Sequence, residues 1–165
     1  DISIESVYEN GVISNRVWRD DANTDAASWQ QIEEYYDSNG ERLTRIELRD
    51  NGVTATNEYQ AGVLRVQTQE DNGPTNAVSW ESNTSYYSST GQIEAREIIY
   101  DNADVTATFF EEGVRSLRLQ FDGDDSNSWL VRETLYDGAG QVAEVNTYDT
   151  AEEVPPEYGF WDWTV

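Results

Sequence analysis

The stretch WQQIEEYYDSNGERLTRIELRDNGVTATNEYQAGVLRVQTQ, residues 29–69, decides the fold. Four runs of seven or eight residues (WQQIEEYY, RLTRIELR, VTATNEY and VLRVQTQ) are divided by DSNG, DNG and QAG. Short glycine-bearing turns between runs rich in β-branched and aromatic residues are hairpin signals, so the stretch reads as four antiparallel strands. The segment 80–121 repeats the pattern, with WESNTSYY, QIEAREIIY, VTATFF and VRSLRLQF divided by SSTG, DNAD and EEG. Turns are expected at 37–40, 50–52, 60–62, 88–91, 111–113 and 137–140. No stretch of useful length reads as helix.

Working outward, the unit recurs. Ser28-Trp29, Ser79-Trp80 and Ser128-Trp129 recur in steps of 51 and 49 residues, and Tyr36, Tyr87, Tyr136 and Gly40, Gly91, Gly140 keep the same steps. Tyr8, Tyr59, Phe110, then Gly11, Gly62, Gly113, then Asp20, Asp71, Asp122 all step by 51. Repetition at a fixed period of this size marks a repeat architecture. The chain opens on the third and fourth strands of a unit (ISIESVY, VISNRVW) and closes on a first and a second (WLVRETLY, QVAEVNTY). The expectation is an all-β antiparallel hairpin repeat of about twelve strands in three four-stranded units of about fifty residues. An open sheet or hairpin solenoid leads; a closed propeller-like or trefoil-like ring, sealed by its first and last strands, is the alternative. Residues 1–149 form one repeat domain that begins mid-unit, with unit boundaries near 29, 80 and 129. Residues 150–165, with Pro155, Pro156 and four aromatics, read as a cap over an exposed edge.

The formal charge is −23, from 33 acidic residues against 10 basic ones, and the chain has no His, Cys or Met. All the basic residues are arginine. Such a field repels phosphate backbones and anionic lipid, so nucleic acid is excluded as a partner. No segment approaches the roughly 18 consecutive apolar residues of a membrane helix, so membrane insertion is not expected. Self-repulsion suits a salty or calcium-containing exterior, which places the protein outside the cell or on its surface. Lacking methionine, the chain is expected to be a processed or excised piece of something longer. Without His, Cys or Lys there is no imidazole base, thiolate or Schiff base, and no ordinary triad. Carboxylate-pair chemistry needs only two acids, and 33 acids make such pairs undiagnostic. A non-catalytic module is therefore expected, with a carbohydrate-binding module as runner-up and a carboxylate-dependent glycan-processing enzyme third. The partner is expected to be a protein or polysaccharide surface, with self-association through sheet edges as a further route.

At the turns YYDSNG, LYDGAG and RDNG the chain resembles the tyrosine–aspartate (YD) and MORN-like hairpin repeats of secreted bacterial proteins. The longer unit with its leading Ser-Trp resembles tandem repeats of calcium-associated, RTX-type secreted proteins of alphaproteobacteria. The resemblance covers most of residues 1–149 and implies a secreted, repetitive scaffold or adhesin segment. The glycine-aspartate nonapeptide that binds calcium in RTX proteins is absent here.

Candidate sites follow from residue type. The inter-unit loops DDANTDAAS (20–28), EDNGPTNAVS (70–79) and DGDDSNS (122–128) offer the hard oxygen ligands that calcium uses. Asp20, Asp71, Asp122 and Asp124 are the candidate calcium ligands. The third loop sets Asp122, Asp124, Ser126 and Glu133 at offsets 1, 3, 5 and 12 of a calcium loop, although offset 6 is Asn127 instead of glycine. The competing reading is an acidic turn built by Asp and Asn side chains. Trp29, Trp80 and Trp129 are expected to be mostly buried, locking unit to unit, while Trp161 and Trp163 are the candidate exposed aromatics for ligand binding. The strand arginines are expected to form cross-strand ion pairs on a solvent face.

Overall fold

The computed structural model describes residues 2–20, 28–72 and 78–158. Twelve strands follow one another: β1 (Ile2–Glu9), β2 (Val12–Asp20), β3 (Trp29–Tyr36), β4 (Arg42–Arg49), β5 (Val53–Gln60), β6 (Val63–Asp71), β7 (Trp80–Tyr87), β8 (Ile93–Tyr100), β9 (Val105–Glu111), β10 (Val114–Phe121), β11 (Val131–Tyr136) and β12 (Val142–Tyr148). They form one antiparallel meander in which each strand pairs with its neighbours in the chain. β1 and β12 do not meet, so the sheet is open and the closed-ring alternative is set aside. Among the described residues the one helical element is a 3₁₀ turn at Pro156–Tyr158.

The turns explain why the strands fold back where they do. Gly40, Gly91 and Gly140 adopt left-handed φ of 83°, 81° and 74°, a region that costs glycine nothing. Their N–H groups donate to the carbonyls of Asp37, Ser88 and Asp137 at 3.0, 3.0 and 2.8 Å. Each of those residues also accepts two backbone amides on its side-chain oxygen, Asn39 and Glu41 at 2.8 and 2.9 Å in the first unit. Ser88 does the same for Thr90 and Gln92, and Asp137 for Ala139 and Gln141. The D/S-x-x-G column is thus one turn built three times. Three further hairpins turn through paired left-handed residues at Asn10-Gly11, Ala61-Gly62 and Glu112-Gly113, the geometry that matches strand twist.

Register is continuous. One ladder crosses the whole sheet: Glu5, Val17, Glu33, Ile46, Thr56, Thr68, Thr84, Glu97, Ala107, Leu119, Glu133 and Asn146. The opposite face carries Arg16, Glu34, Arg45, Arg96, Arg118 and Thr134 in a single row. Six of the eight turn-linked hairpins slip by one residue just past the turn, so that Ser14, Leu43, Arg65, Glu94, Ser116 and Ala143 are extra residues on the returning strands, while β4–β5 and β8–β9 keep an unbroken register. Such bulges bend a strand and add right-handed twist.

Burial is thin and split between both faces. Val17 and Leu119 are buried on the first face, and Ile32 and Ala55 on the second. Trp29 and Trp80 open β3 and β7 opposite Arg49 and Tyr100, and both are covered over most of their surface, as expected. Trp129 is covered to the same degree, but it precedes β11, which starts at Val131; the expected strand WLVRETLY loses its first two residues. Trp129 lines a cleft of about 210 Å³ with Tyr100, Asp104, Thr106 and Gln120, against the preceding unit.

Candidate functional site

The most elaborate corner of the molecule lies where the loop after β10 meets the turn between β8 and β9. The turn Asp101–Asp104 begins at Tyr100, whose carbonyl accepts from the Ala103 amide at 2.9 Å. Asp104 Oδ1 accepts the Gly123 amide at 2.9 Å, and Asn102 Nδ2 donates to Asp104 at 3.0 Å and to Asp124 at 3.2 Å. Gly123 is required there: a Cβ would come within 2.0 Å of the Ala103 carbonyl oxygen. Close backbone approach, not left-handed φ, fixes that glycine.

Asp122 is the buried member of the corner, 6% exposed. Its carboxylate accepts the amides of Asn127 at 2.8 Å and Ser126 at 3.3 Å, folding the loop around it. Asp124 accepts the Ser126 amide at 3.0 Å. Hydrogen bonds from Ser126 hold the Asp124 carboxyl below its ordinary value, against the opposing effect of burial. Carboxylate oxygens of Asp104, Asp122 and Asp124 all lie within 4.8 Å of one another. That spread suits oxygens sharing one cation at the 2.3–2.6 Å typical of calcium.

The candidate ligands separate accordingly. Asp122 and Asp124 come together, joined by Asp104, which sequence reasoning did not single out. Asp104 lies outside the recurrent aspartate columns, and its only signal was the unit-specific turn DNAD. Asp20 ends β2 opposite Ile2, and Asp71 ends β6 opposite Val53, where it accepts the Val78 amide at 3.3 Å. Each lies at its own loop, and most of those two loops (21–27 and 73–77) lies outside the described residues. Trp161 and Trp163 also lie outside them.

Glu133, which the spacing puts at offset 12, does not join the corner. It stands in the cross-sheet ladder, 5% exposed, and accepts from Tyr148 and Asn146 at 3.0 Å each and from the Tyr158 hydroxyl. Burial pushes its pKa up, but these donors outweigh it and the carboxyl stays below its ordinary value. Tyr158 thereby ties the tail to the sheet. With Val154, Pro155, Val105, Phe121 and Val131 it lines an apolar cleft of about 520 Å³. The described part of the tail covers one end of a face, and the remainder of the expected cap, 159–165, lies outside the described residues.

On the opposite face the arginine pairs at Glu34 cross from β4 to β3, while those at Glu47 stay within β4. Arg42 and Arg45 approach Glu34 at 2.7 and 3.7 Å, and Arg45 and Arg49 approach Glu47 at 3.1 and 3.0 Å. Glu34 is 6% exposed. Burial raises its pKa, yet hydrogen bonds from Tyr36 and Arg42 and the two guanidinium charges win, so it stays ionised below the usual range. Arg42 also stacks 4.3 Å from the Tyr59 ring centre.

Compared with known proteins, the chain matches no family model, and no curated protein matches it.

Proposed function

We propose that this chain is a non-catalytic β-repeat module of a secreted or surface protein, acting as a scaffold, spacer or adhesive surface toward a protein or polysaccharide. The observation that carries the reading is the ladder that crosses twelve strands in a single open layer. A one-layer sheet of roughly 4.8 Å per strand sets side chains in regular rows over a span of about 50 Å, which suits extension and broad contact better than one enclosed reaction centre. Charge and residue inventory agree: a −23 chain without His, Cys or Lys has few routes to nucleophilic or imidazole chemistry. The resemblance of its turns to YD and MORN-like repeats of secreted proteins points the same way.

The test is to immobilise the chain and pass polysaccharides and surface proteins over it, while assaying the same polysaccharides for new reducing ends. Retention without turnover, weakened by Arg96→Ala with Arg118→Ala on the arginine row, is the expected result. Turnover that a single Glu→Gln or Asp→Asn substitution abolishes would make it a glycan-processing enzyme. Retention that depends on Trp161 and Trp163 would make it a carbohydrate-binding module with aromatic platforms.

Calcium at the Asp104–Asp122–Asp124 corner is a second reading, favoured by the convergence of three carboxylates in a chain of net charge −23. An ion that binds only the folded chain raises its melting temperature by mass action. Calcium at millimolar levels should raise it more than magnesium at equal ionic strength, because magnesium demands stricter octahedral geometry. Asp122→Asn with Asp124→Asn should remove the difference. Equal responses to calcium, magnesium and sodium would reduce the effect to screening.

A further inference from the structure

We propose that two clefts on the turn-bearing border of the sheet, one beside Tyr36 and one beside Tyr136, receive arginine side chains of a partner protein. The inference rests on the reading of the chain as an adhesive module and names the chemistry its partner would present.

The repeat builds the same cleft twice. One, of about 150 Å³, lies between the turn after β1 and the turn after β3; the other, of about 520 Å³, lies between the turns after β9 and β11. Their walls agree column for column. Glu9, Ser14, Tyr36 and Asp37 line the first, and Glu111, Ser116, Tyr136 and Asp137 line the second. Ser14 and Ser116 are the bulged residues, and each donates back into its own hairpin, to the Val7 carbonyl at 3.3 Å and the Phe109 carbonyl at 3.2 Å. Val12 and Val114 lie by the turn glycines, where a Cβ on Gly40 or Gly140 would come within 3.4 or 3.3 Å of a valine methyl. Apolar surface beneath a carboxylate rim suits arginine, whose methylene stem packs on the one while its head meets the other.

The middle unit shows the occupant. Its bulged residue is Arg65 instead of serine. That guanidinium crosses from β6 to β7, where Nε donates to the Tyr87 carbonyl at 2.9 Å, and Nη1 reaches Gln60 Oε1 at 3.4 Å. Gln60 and Tyr87 stand in the columns of Glu9 and Tyr36, so the chain's own arginine spans the walls that flank the outer clefts. Charge changes with it. Gln60 and Ser88 stand where the outer units have Glu9 and Asp37, or Glu111 and Asp137. The unit with its own arginine has neutral walls, and the two units without it have acidic ones. The tyrosine fits as well: Arg115 lies 5.1 Å from the centre of the Tyr136 ring, so a guanidinium is already an accepted neighbour there. Against Arg115 the second cleft sets Glu111, Glu112 and Asp137, while the described lining of the first holds no basic residue. A planar fork of donors can serve a carboxylate and a carbonyl together, which a compact ammonium does less well. From β2 to β10 is eight strands, about 38 Å at roughly 4.8 Å each, so a partner presenting arginines over that span gains from filling both clefts.

The probe is N-acetyl-arginine amide, followed by amide NMR of the intact, isotope-labelled chain in about 0.15 M NaCl, where the Debye length is about 8 Å. The lysine and citrulline amides serve as controls. Saturable movement of the Ser14, Gly40, Ser116 and Gly140 amides is expected, with none at Arg65 or Gly91. Citrulline, the neutral isostere, should bind at least about tenfold more weakly, because it lacks the charge that strengthens such bonds. Ser14→Arg with Ser116→Arg gives both clefts the middle unit's residue and should abolish the response. Should that chain fail to fold, Glu9→Gln, Asp37→Ser, Glu111→Gln and Asp137→Ser together give the outer clefts the middle unit's walls and should do the same. The converse, Gln60→Glu with Arg65→Ser and Ser88→Asp, should create a third responding site at Gly91. No saturable response, an equal response to lysine or citrulline, or one that survives in the substituted chain overturns the proposal. Any of these, in a chain that still retains a surface protein, defeats the arginine clefts alone and leaves the module reading in place.

Discussion

The first hairpin and the last four strands share one repeat frame but not one environment. Along β1 every residue except Ser6 is exposed, with Ile2 and Tyr8 among them. Along β11, Val131, Glu133 and Thr134 are buried, and Leu119 beside it on β10 is the most enclosed side chain at 1% exposed. Turn chemistry and pairing pattern are the same in both regions. What differs is a second layer of chain: the loop after β10 and the tail to Tyr158 lie against β9–β11, and nothing among the described residues lies against β1. The repeat therefore sets backbone pairing, and covering segments set burial. Hydrophobic stabilisation scales with apolar area removed from water, so the two regions should carry unequal shares of stability.

The sharpest way to break this comparison is to truncate one column at both ends. Val17, Thr68 and Leu119 occupy equivalent positions of the cross-sheet ladder. Leu119→Ala should cost about 2–5 kcal/mol in urea unfolding, through lost transfer energy and the cavity left behind. Val17→Ala should cost roughly half of that, since it removes fewer methyl groups from a less covered site. Ile4→Ala, on the bare edge, should stay within about 0.5 kcal/mol. Equal costs at Leu119 and Val17 would mean that the tail adds no burial.

A second comparison uses a carboxylate column. Glu33 and Glu133 are equivalent, but Glu133 is buried under three donors while Glu33, among the described residues, accepts from its own strand alone, from Gln31 and Tyr35. Glu133→Gln should cost about 1–3 kcal/mol at neutral pH because it disturbs a buried, charge-assisted set of bonds, and Glu33→Gln much less. The folded pKa of Glu133 is depressed, so its contribution is present above the unfolded glutamate value and is lost as pH falls through the folded one. The gap between wild type and Glu133→Gln should therefore close in acid. A gap that persists unchanged to pH 2 would assign the loss to packing.

Strands and turns were legible because glycine and Asx chemistry act locally: Gly40, Gly91 and Gly140 need only their own backbone to declare a turn. Openness was legible only as one of two arrangements, since pairing between first and last strands leaves no local mark. The like burial of Trp29, Trp80 and Trp129 was legible from their common place after the inter-unit loops, but the start of β11 at Val131, past Trp129, was not. The Asp104–Asp122–Asp124 corner was half legible. Asp122 and Asp124 stood out by spacing, but Asp104 arrives from another hairpin, and Glu133 turns to the ladder because strand alternation, not loop spacing, sets its direction.

The smallest expected effect probes the middle of the sheet, where neither region dominates. In the column Ile46, Glu97, Asn146, the second unit places a carboxylate where the first has an isoleucine. Burial pushes the Glu97 pKa up, and burial first, then the Glu97 charge, raises that of Tyr86. A folded pKa above the unfolded one means that the folded chain holds the proton more tightly. Stability is then fully present below the unfolded value and falls as pH rises through the folded one. At neutral pH the ionised Glu97 is a burden, so Glu97→Gln should stabilise the protein, by less than about 1 kcal/mol because the site is partly solvated. The gain should shrink toward zero below the ordinary glutamate value of 4.5, where the wild-type carboxyl is already neutral. Urea midpoints for both proteins across that range make the check. A gain independent of pH would trace to packing of the amide, and a loss at neutral pH would mean that Glu97 has a favourable partner in the ladder.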